Sequence, residues 1–465
     1  MIVYNTLSGQ KEEFQPMEQN KVRMFVCGPT VYDVPHLGHA KTYVLFDAFA
    51  KYLRHKNFEV QYLQNITDID DKIIARATEE DTDYKSIAEK YTKIYFEDMK
   101  ALGVDAVSQY APATEYIDEI VDQVKRLVDT GHSYFIEGDG YYFDLATFPE
   151  YGKLSGRTSQ QAEDSISRID ESVNKRNPGD FALWKLSPAD AGHEEIGWDS
   201  PLGRGRPGWH IEDTAITEKV FGPQYDIHGG GVDIKFPHHE AEIAQQESVS
   251  GKSPLAKYWM HVGSLTVNGK KMSKSLGNFV TIKDVLKQIS PQAARLYILS
   301  GHYRSPLDYN DTLLDQSDAA SKRIAGFSAR LGQARGTGNK KTEEYLKEGA
   351  EGFYAALNDD FNTPGALGAV FELIRNVNPI LVSNELSESQ AGSIKTFLNT
   401  VHDVLGIIPE PEDQEIPDEI LALAEQREEA RKNKNWAEAD RLRAQIESQS
   451  YTISDTPAGP LVSLK

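Results

Sequence analysis

The sequence predicts an α/β fold in which parallel strands form a nucleotide-binding core and a helical region follows. Three observations lead to this class. An apolar run at residues 22–26 ends in Cys27-Gly28-Pro29 and precedes helical periodicity at 43–52, which predicts a strand, a tight loop and a helix. Residues 58–63 and 225–228 are typical of further strands. From about residue 290 the apolar spacing becomes helical and stays so almost to the end.

Length and composition bound the class of protein. At 465 residues the chain has room for roughly two to four domains. The formal net charge of −21 argues against nonspecific nucleic-acid binding by the whole surface, whereas a local basic face stays compatible with it. No apolar run approaches the roughly 20 residues of a membrane helix, and the N-terminus does not resemble a signal peptide. The single cysteine excludes an internal disulfide, so we expect a cytoplasmic protein without a membrane segment.

Changes in pattern divide the chain into successive segments. Residues 105–205 interrupt the alternation of strands and helices, with a hairpin signal at Gly138-Asp139-Gly140, so we interpret them as an insertion between two halves of one Rossmann-type core. A polar gap at 336–341 and a Pro- and acid-rich stretch at 409–418 mark later boundaries. The expected divisions are 1–104 and 206–285 for the two halves of the core, 105–205 for the insertion, 286–340 for a helical region, 341–408 for a helical bundle and 409–465 for a small C-terminal domain.

The first candidate site motif is His36-Leu37-Gly38-His39, directly after the first core strand. Histidines three residues apart share one face of a helix, and near a helix N-terminus that face points at an anion site. Gly38 would let a ligand approach the backbone, and two imidazoles suit a phosphate whose charge grows during a reaction. The alternative is an ordinary strand-to-helix turn with two surface histidines.

The second motif is Lys270-Lys271-Met272-Ser273-Lys274-Ser275, which follows the turn signal Asn268-Gly269. It is typical of a flexible loop whose ammonium groups suit a polyphosphate, and the alternative is a solvated basic turn. The HLGH and KMSKS motifs, in this order and about 230 residues apart, resemble the signature of class I aminoacyl-tRNA synthetases.

Two further stretches add candidate ligands. The glycines at 229–231 end a predicted strand and permit close approach of a nucleotide, and Asp233 could bind ribose hydroxyls. His238 and Glu242 are four apart on a predicted helix and could share a metal, or Glu242 could belong to a polar helix face.

The C-terminal segment holds a basic patch in an acidic chain. The pattern of residues 419–447 predicts two charged helices. Trp436 lies within the basic patch and could stack on an unpaired base. The alternative is a solvated helical hairpin with one core tryptophan. The basic residues are Arg427, Arg431, Lys432, Lys434, Arg441 and Arg443.

Within class I, the chain resembles the cysteinyl-tRNA synthetase family over essentially its whole length. The resemblance is carried by CGPTVYD before HLGH, NITDIDDK, RPGWHIE, DIHGGGVD, FPHHEAEIAQ, KKMSKSLGN and EADRLRAQI. It implies activation of L-cysteine with Mg²⁺-ATP to cysteinyl-adenylate, followed by transfer to the 3′ end of tRNA(Cys). It also implies tRNA stem contacts at 286–340 and an anticodon-binding bundle at 341–408, with the anticodon contacts somewhere in 343–465. No obligate protein partner is evident.

The motifs and the resemblance together assign the site residues. Catalytic roles fall to His36, His39, Lys271 and Lys274. ATP binding falls to Gly28, His36, Gly38, His39, Gly229, Gly230, Asp233 and Lys274, and amino-acid binding to Cys27, Gly28, Thr67, Trp209 and His238.

The resemblance also implies one zinc ion, in a site that departs from the family. The family holds zinc with two cysteines, a histidine and a glutamate, which Cys27, His238 and Glu242 match in part. The second cysteine is replaced by Asp213. Zinc accepts carboxylate oxygen, so Asp213 is an expected ligand, and the alternative is three protein ligands with a water.

Two rival functions stay open. One is a related ligase that joins cysteine to an amino sugar, against which the region 340–465 argues because such enzymes lack the anticodon-binding end. The other is a tRNA-binding paralogue without catalysis, against which the intact HLGH and KMSKS motifs argue.

Overall fold

The computed structural model describes residues 1–157, 172–187, 196–272, 276–409, 417–449, 451–456 and 459–464. The chain divides into two compact units. The first unit consists of Met1–Ser317, Ala356–Pro364 and Val404–Gly406, and the second unit consists of Asp318–Ala355, Gly365–Asp403 and Ile407–Lys465. The first unit therefore contains two short segments from the helical part of the chain in addition to the α/β region.

The strands and helices are numbered in chain order. The strands are β1 (Ile2–Asn5), β2 (Gln10–Glu13), β3 (Lys21–Val26), β4 (Glu59–Ile66), β5 (Gln109–Pro112), β6 (Ser133–Ile136), β7 (Gly140–Phe143), β8 (Phe181–Leu186), β9 (Gly205–Pro207), β10 (Tyr225–Gly231), β11 (Ala256–Val262), β12 (Leu265–Val267), β13 (Lys270–Lys271), β14 (Leu307–Tyr309), β15 (Tyr451–Thr456) and β16 (Gly459–Leu464). The helices are α1 (Leu37–His55), α2 (Asp71–Glu79), α3 (Tyr84–Ala101), α4 (Ile117–Asp129), α5 (Ile211–Phe221), α6 (Glu240–Ser250), α7 (Ile282–Leu286), α8 (Pro291–Leu299), α9 (Asp311–Leu331), α10 (Lys340–Asn358), α11 (Thr363–Val382), α12 (Glu388–Leu405), α13 (Asp418–Lys432) and α14 (Trp436–Ser448).

A five-stranded parallel sheet in the order β11-β10-β3-β4-β5 forms the centre of the first unit. Its strands are largely buried, as expected for parallel strands that are covered on both faces. β3 and β10 are neighbours although about 200 residues separate them, so the order of the strands reverses between them. Ligands bind at such a switch point, beyond the carboxyl ends of the strands.

The insertion forms its own antiparallel sheet in the order β6-β7-β8-β9. The predicted hairpin is present, with β6 and β7 joined through a turn at Gly138 and Asp139. Leu183 and Trp184 of β8 pack in one buried cluster with Ile211 of α5. The insertion is therefore anchored to a helix that also contributes to the ligand-binding edge of the core.

A small sheet in the order β13-β12-β14 carries Lys270 and Lys271, the second of which is the first lysine of the KMSKS motif. β12 and β13 pair antiparallel, and β12 pairs in parallel with β14. Asp308 of β14 braces the hairpin, because its Oδ1 accepts hydrogen bonds from Thr266 Oγ1 at 2.7 Å and from Gly269 N at 2.7 Å.

Among the described residues, one helix is long and apolar enough to cross a membrane by length and composition alone, namely α11. It contains Pro379, and its side chains Val370, Leu373 and Val377 are at most 1% exposed. These apolar residues therefore fill a protein core of the second unit.

Most of the arginines in the predicted basic patch are neutralised within the second unit. Arg427 is 5% exposed and ion-pairs with Asp455, which also pairs with Arg431. Arg441 and Arg443 pair with glutamates on their own helix. Trp436 is 60% exposed, so the alternative of a core tryptophan is wrong and its ring is accessible from solvent.

A buried ion pair joins four segments of the first unit. Arg295 of α8 lies 2.7 Å from Asp47 of α1, and the two side chains are 2% and 0% exposed. The guanidinium also donates to the carbonyls of Leu102, Gly103 and Leu405. Burial favours the neutral acid, but Arg295 and Lys51 lower the pKa of Asp47 below its usual value.

We predict that Arg295→Met lowers the free energy of unfolding of the first unit by about 3–5 kcal/mol, because it leaves a buried carboxylate short of its main partner. Urea unfolding followed by tryptophan fluorescence measures this loss. The matched control is Lys51→Met, which removes a more exposed cation from the same carboxylate and should cost about 1 kcal/mol or less. Equal losses in the two variants would contradict the assignment.

Candidate active site and metal centre

Four side chains from separate elements converge beyond the ends of β3 and β10. Cys27 follows β3, Asp213 lies in the first turn of α5, His238 lies in the wide turn Lys235–His239, and Glu242 lies in the first turn of α6. One donor atom of each lies within 4.8 Å of those of the others. The structure thus brings together all four residues that the sequence analysis proposed as metal ligands.

The donor atoms are spaced like the corners of a metal-centred tetrahedron. Cys27 Sγ lies 3.3 Å from Asp213 Oδ2 and 3.9 Å from Glu242 Oε1. His238 Nε2 lies 3.0 Å from Asp213 Oδ2 and 3.2 Å from Glu242 Oε1. Zinc bonds of about 2.0–2.3 Å at tetrahedral angles separate neighbouring donors by about 3.3–3.8 Å. The residues present therefore fit a zinc-sized ion with small adjustments.

The cluster concentrates acidic groups in a dry environment. Asp213 and Glu242 are 0% exposed, and within the described ranges neither forms an ion pair with a lysine or arginine. Burial, followed by the charges of Glu242 and Asp213, raises the pKa of the Cys27 thiol well above its usual value. Burial and Asp213 likewise raise the pKa of Glu242, whose Oε2 has no hydrogen-bond partner in the part of the chain that is described. A divalent cation would compensate these groups and let the thiol ionise.

Outer contacts orient the candidate ligands. His210 Nδ1 lies 2.8 Å from His238 Nδ1, which leaves His238 Nε2 directed at the carboxylates. Asn65 Nδ2 donates to Asp213 Oδ1 at 2.5 Å, and Trp209 stacks on the His238 ring with centroids 4.4 Å apart. Metal-binding histidines and carboxylates usually have such partners. These roles of Asn65 and His210 were not recognised from the sequence.

A second set of donors shares two members with the first. Cys27, His228, His239 and Glu242 also offer atoms within 4.8 Å of one another. Cys27 Sγ lies 3.1 Å from His239 Nε2 and 3.6 Å from His228 Nε2. Burial lowers the pKa of both histidines well below the usual value, so they are neutral. The sequence analysis missed them, although His228 precedes the glycine run and His239 follows His238 directly.

The HLGH histidines cap helix α1 reciprocally. His36 Nδ1 accepts a hydrogen bond from the backbone N–H of His39 at 3.2 Å, and His39 Nδ1 accepts from that of His36 at 3.3 Å. The rings stack with centroids 3.7 Å apart. Burial lowers the pKa of His36, and that of His39 falls well below its usual value. In a neutral ring whose Nδ1 accepts, the proton resides on Nε2, so both histidines present N–H donors.

The glycines of the site are required by packing of the protein against itself. A Cβ on Gly28 would lie 1.7 Å from Asn65 O, and one on Gly229 would lie 2.3 Å from the Phe46 ring. A Cβ on Gly38 would lie 2.9 Å from the His36 ring, and one on Gly230 would lie 2.8 Å from the His239 ring. These contacts show why glycine is required at each position. This reason differs from the ligand approach that the sequence predicts.

The chain after the KMSKS motif pairs with the HLGH turn. Leu37 N donates to Val280 O at 3.0 Å, and His36 forms a bridge with Thr281. Lys271 is exposed in β13, and Asp233 is close enough to His36 for its charge to oppose the lowering of the histidine pKa. Lys274 lies outside the described residues, as do Ser273 and Ser275. The described segment that follows the KMSKS motif thus lies beside the HLGH turn.

The predicted amino-acid pocket borders the metal cluster. Thr67 is 2% exposed, and its hydroxyl donates to Glu212 next to Asp213. Lys72 Nζ lies 5.7 Å from the centroid of the Trp209 ring and 5.5 Å from that of the Tyr32 ring. A cation therefore stands over the aromatic residue that stacks on a candidate ligand.

Comparisons with known proteins agree with this geometry. A family model described as tRNA synthetases class I (C) catalytic domain matches residues 13–319. A DALR domain model matches residues 352–409, and a Cysteinyl-tRNA ligase anticodon binding domain model matches residues 413–458. Proteins named Cysteine–tRNA ligase from Geobacillus and Thermococcus gammatolerans are 42% and 44% identical to this chain, and each alignment covers 98% of both partners. This chain belongs to the cysteinyl-tRNA synthetase family. The resemblance inferred from the motifs is confirmed.

Solved class I structures share the fold of this cysteinyl-tRNA synthetase family member. A Mycobacterium tuberculosis methionyl-tRNA synthetase with methionyl-adenylate matches with a TM-score of 0.61 at 16% identity, over 83% of this chain and 90% of that chain. A LeuRS ternary complex with tRNA and LeuAMS from Agrobacterium radiobacter matches with a TM-score of 0.62 at 10% identity, over 85% of both. The predicted class I α/β fold, followed by a helical anticodon region, is confirmed.

We predict that Asp213→Ala lowers zinc affinity and cysteine affinity together. Loss of even an outer partner of a ligand costs about 10–100-fold in metal affinity, so loss of a ligand should cost at least as much. Elemental analysis after dialysis against a chelator and the KM for cysteine measure the two effects. Asp213→Cys should keep the metal, because thiolate is a good zinc ligand and retains the charge. If Asp213→Ala binds zinc and cysteine as tightly as the parent, Asp213 is not a ligand.

Proposed function

We propose that this protein is a cysteine–tRNA ligase that activates L-cysteine with Mg²⁺-ATP and transfers it to tRNA(Cys) in the cytoplasm. The observation that carries the proposal is the buried donor cluster at the switch point of the sheet, next to the HLGH turn. Identity of 42–44% with cysteine–tRNA ligases over the full length supports the same reaction. The amino-sugar ligase and the non-catalytic paralogue are not favoured.

Cys27, Asp213, His238 and Glu242 would hold one zinc ion. This set is preferred over the second one because only it includes Asp213, which is otherwise a fully buried carboxylate beside other acidic groups. When bound, zinc would accept the thiolate of the substrate as an additional, fifth donor, a role that a serine hydroxyl would fill poorly. A site with one strong polar contact can reject the analogue without an editing step. Gly28, Thr67 and Trp209 border the same space and complete the proposed amino-acid pocket.

His36 and His39 would act on the phosphates of ATP as hydrogen-bond donors. In the first step the cysteine carboxylate attacks the α-phosphate, the bond to the β-phosphate oxygen breaks, and Mg²⁺-pyrophosphate leaves. Because both rings are neutral with Nδ1 engaged, each offers an Nε2–H that can stabilise the charge that develops on phosphate oxygens. Lys271 and Lys274 would add cationic groups from the KMSKS loop. Gly28, Gly38, Gly229, Gly230 and Asp233 would shape the nucleotide site.

In the second step a ribose hydroxyl at the 3′ end of tRNA attacks the activated carbonyl, and AMP leaves. We assign stem contacts to 286–340, the anticodon-binding bundle to 341–408 and the small C-terminal domain to 409–465. The exposed ring of Trp436 supports base stacking as the mode of contact in the last segment. No obligate protein partner is proposed.

We predict that Lys274→Ala lowers the rate of cysteine-dependent pyrophosphate exchange by about 10²–10³, the usual cost of one lost transition-state contact. The matched control is Lys287→Ala, an exposed lysine directly after α7 that pairs with Asp284 and should leave exchange unchanged. Unchanged exchange in Lys274→Ala would remove the loop from the chemistry.

We further predict that the parent protein exchanges pyrophosphate with cysteine and not with serine, and then charges tRNA(Cys). Filter-binding of labelled cysteine to tRNA and chromatography of an amino-sugar reaction distinguish the acceptors. Pyrophosphate exchange followed by transfer of cysteine to the amino sugar alone would favour the amino-sugar ligase. Absence of pyrophosphate exchange would favour the tRNA-binding paralogue without catalysis.

A further inference from the structure

Lys41 is a buried lysine on the helix that begins with the HLGH motif. It lies two residues after His39 and is 3% exposed. Its Nζ donates to the carbonyl oxygens of Gly263 at 2.6 Å, Ser305 at 2.8 Å and Ser264 at 3.4 Å. The hydrogen bonds given for its Nζ within the described residues all go to backbone carbonyls, and burial lowers its pKa to about 8. A buried ammonium held by carbonyls alone is costly, so its position calls for a reason.

The three carbonyls lie at the base of the small sheet β13-β12-β14. Gly263 and Ser264 immediately precede β12, and Ser305 lies just before β14. The two strands start in register, with Leu265 opposite Leu307. The segments are in close contact, because a Cβ on Gly263 would lie 2.5 Å from Ser305 O. The ammonium of Lys41 therefore joins the starting points of both strands to helix α1.

The residues that follow the KMSKS motif are also attached to the start of helix α1. Leu37 N donates to Val280 O at 3.0 Å, and Ile282 N donates to Pro35 O at 3.4 Å. The chain that holds the KMSKS motif is thus fastened at both ends to the first turns of α1. The first attachment is made by the Lys41 side chain and the second by backbone hydrogen bonds.

We propose that Lys41 is a positioning residue for the ATP-dependent step, which fixes the hairpin bearing Lys270–Lys271 relative to His36 and His39. The inference rests on the proposed function, in which both motifs act on the phosphates of ATP. Without the ammonium, the carbonyls of Gly263 and Ser305 lose their donor and the base of the hairpin can shift. A displacement of about 1 Å in a phosphate-binding group can cost about 10²-fold in rate.

The first test compares Lys41→Met with Lys51→Met, a lysine ten positions along the same helix that does not contact the hairpin. In cysteine-dependent pyrophosphate exchange, Lys41→Met should lower kcat about 10–100-fold with the KM for cysteine unchanged, because the amino-acid pocket is not involved. Lys51→Met should change neither constant by more than about 3-fold. Lys41→Arg, which keeps a cation with several donors, should recover most of the lost kcat. Equal kcat values in Lys41→Met and Lys51→Met would overturn the proposal.

A double-mutant cycle separates positioning from general damage to the fold. If Lys41 acts through the hairpin, Lys41→Met should cost less in a Lys271→Ala background than in the parent, because one of the positioned groups is already lost. If the rate loss in the double variant equals the product of the losses in the two single variants, Lys41 does not act through the hairpin.

Amide hydrogen exchange tests the attachment without reference to activity. Lys41→Met should accelerate exchange by at least about 10-fold at the amides of Asn268 and Leu307, which donate within the small sheet to Tyr309 O and Ser264 O, while amides in the middle of α1 keep the parent rates. Lys41→Gln, which retains an amide NH₂ donor, replaces Lys41→Met in this test if the methionine variant does not fold. If the parent protein lacks pyrophosphate exchange, the proposed function fails. The amide hydrogen-exchange rates still decide whether Lys41 holds the hairpin. Unchanged hairpin amides would refute that role.

Discussion

The site depends on the burial of acidic donors where the order of the parallel strands reverses. Cys27, Asp213 and Glu242 lie within 4.8 Å of one another, and Asp213 and Glu242 are 0% exposed. Such groups cannot all be ionised in a dry interior unless a cation joins them. The surrounding structure serves this requirement, since α5 and α6 both begin at the cluster. Asn65 and His210 leave the donor atoms of Asp213 and His238 directed towards a common point.

A second constraint concerns the nucleotide end of the site. The neutral histidines of the HLGH turn present N–H donors, and the hairpin of the KMSKS motif is fastened to the same turns of α1. Phosphoryl chemistry relies on the placement of donors and cations around the phosphates. One short stretch of helix therefore sets the geometry of both motifs, although about 230 residues separate them in sequence.

Much of the fold and of the candidate site could be predicted from the sequence. The features that could not be predicted were missed for physical reasons. Periodicity identified the strand that ends at Cys27 and the following helix, and the family pattern proposed four donors that the fold brings together. Periodicity does not say which strands are neighbours, so the approach of His228 and His239 to Cys27 was missed. The glycines at 229–231 were assigned to ligand approach, and the sequence did not show that Gly229 also packs against the Phe46 ring. The basic patch was overestimated because Asp455 of β15 neutralises Arg427 and Arg431 of α13, from which α14 separates it in sequence. Lys41 was not recognised from the sequence, because its partners are carbonyls more than 200 residues away.

X-ray absorption at the zinc edge, on the protein with and without L-cysteine, tests the central claim most directly. Zinc–sulfur bonds of about 2.3 Å are resolved from oxygen and nitrogen bonds of about 2.0–2.2 Å. The account predicts one sulfur neighbour in the free protein, from Cys27, and two after addition of L-cysteine, with no change after addition of L-serine. A zinc ion without a sulfur neighbour, or an unchanged sulfur count in the presence of cysteine, would contradict the proposal that this cluster binds the substrate thiolate through the metal.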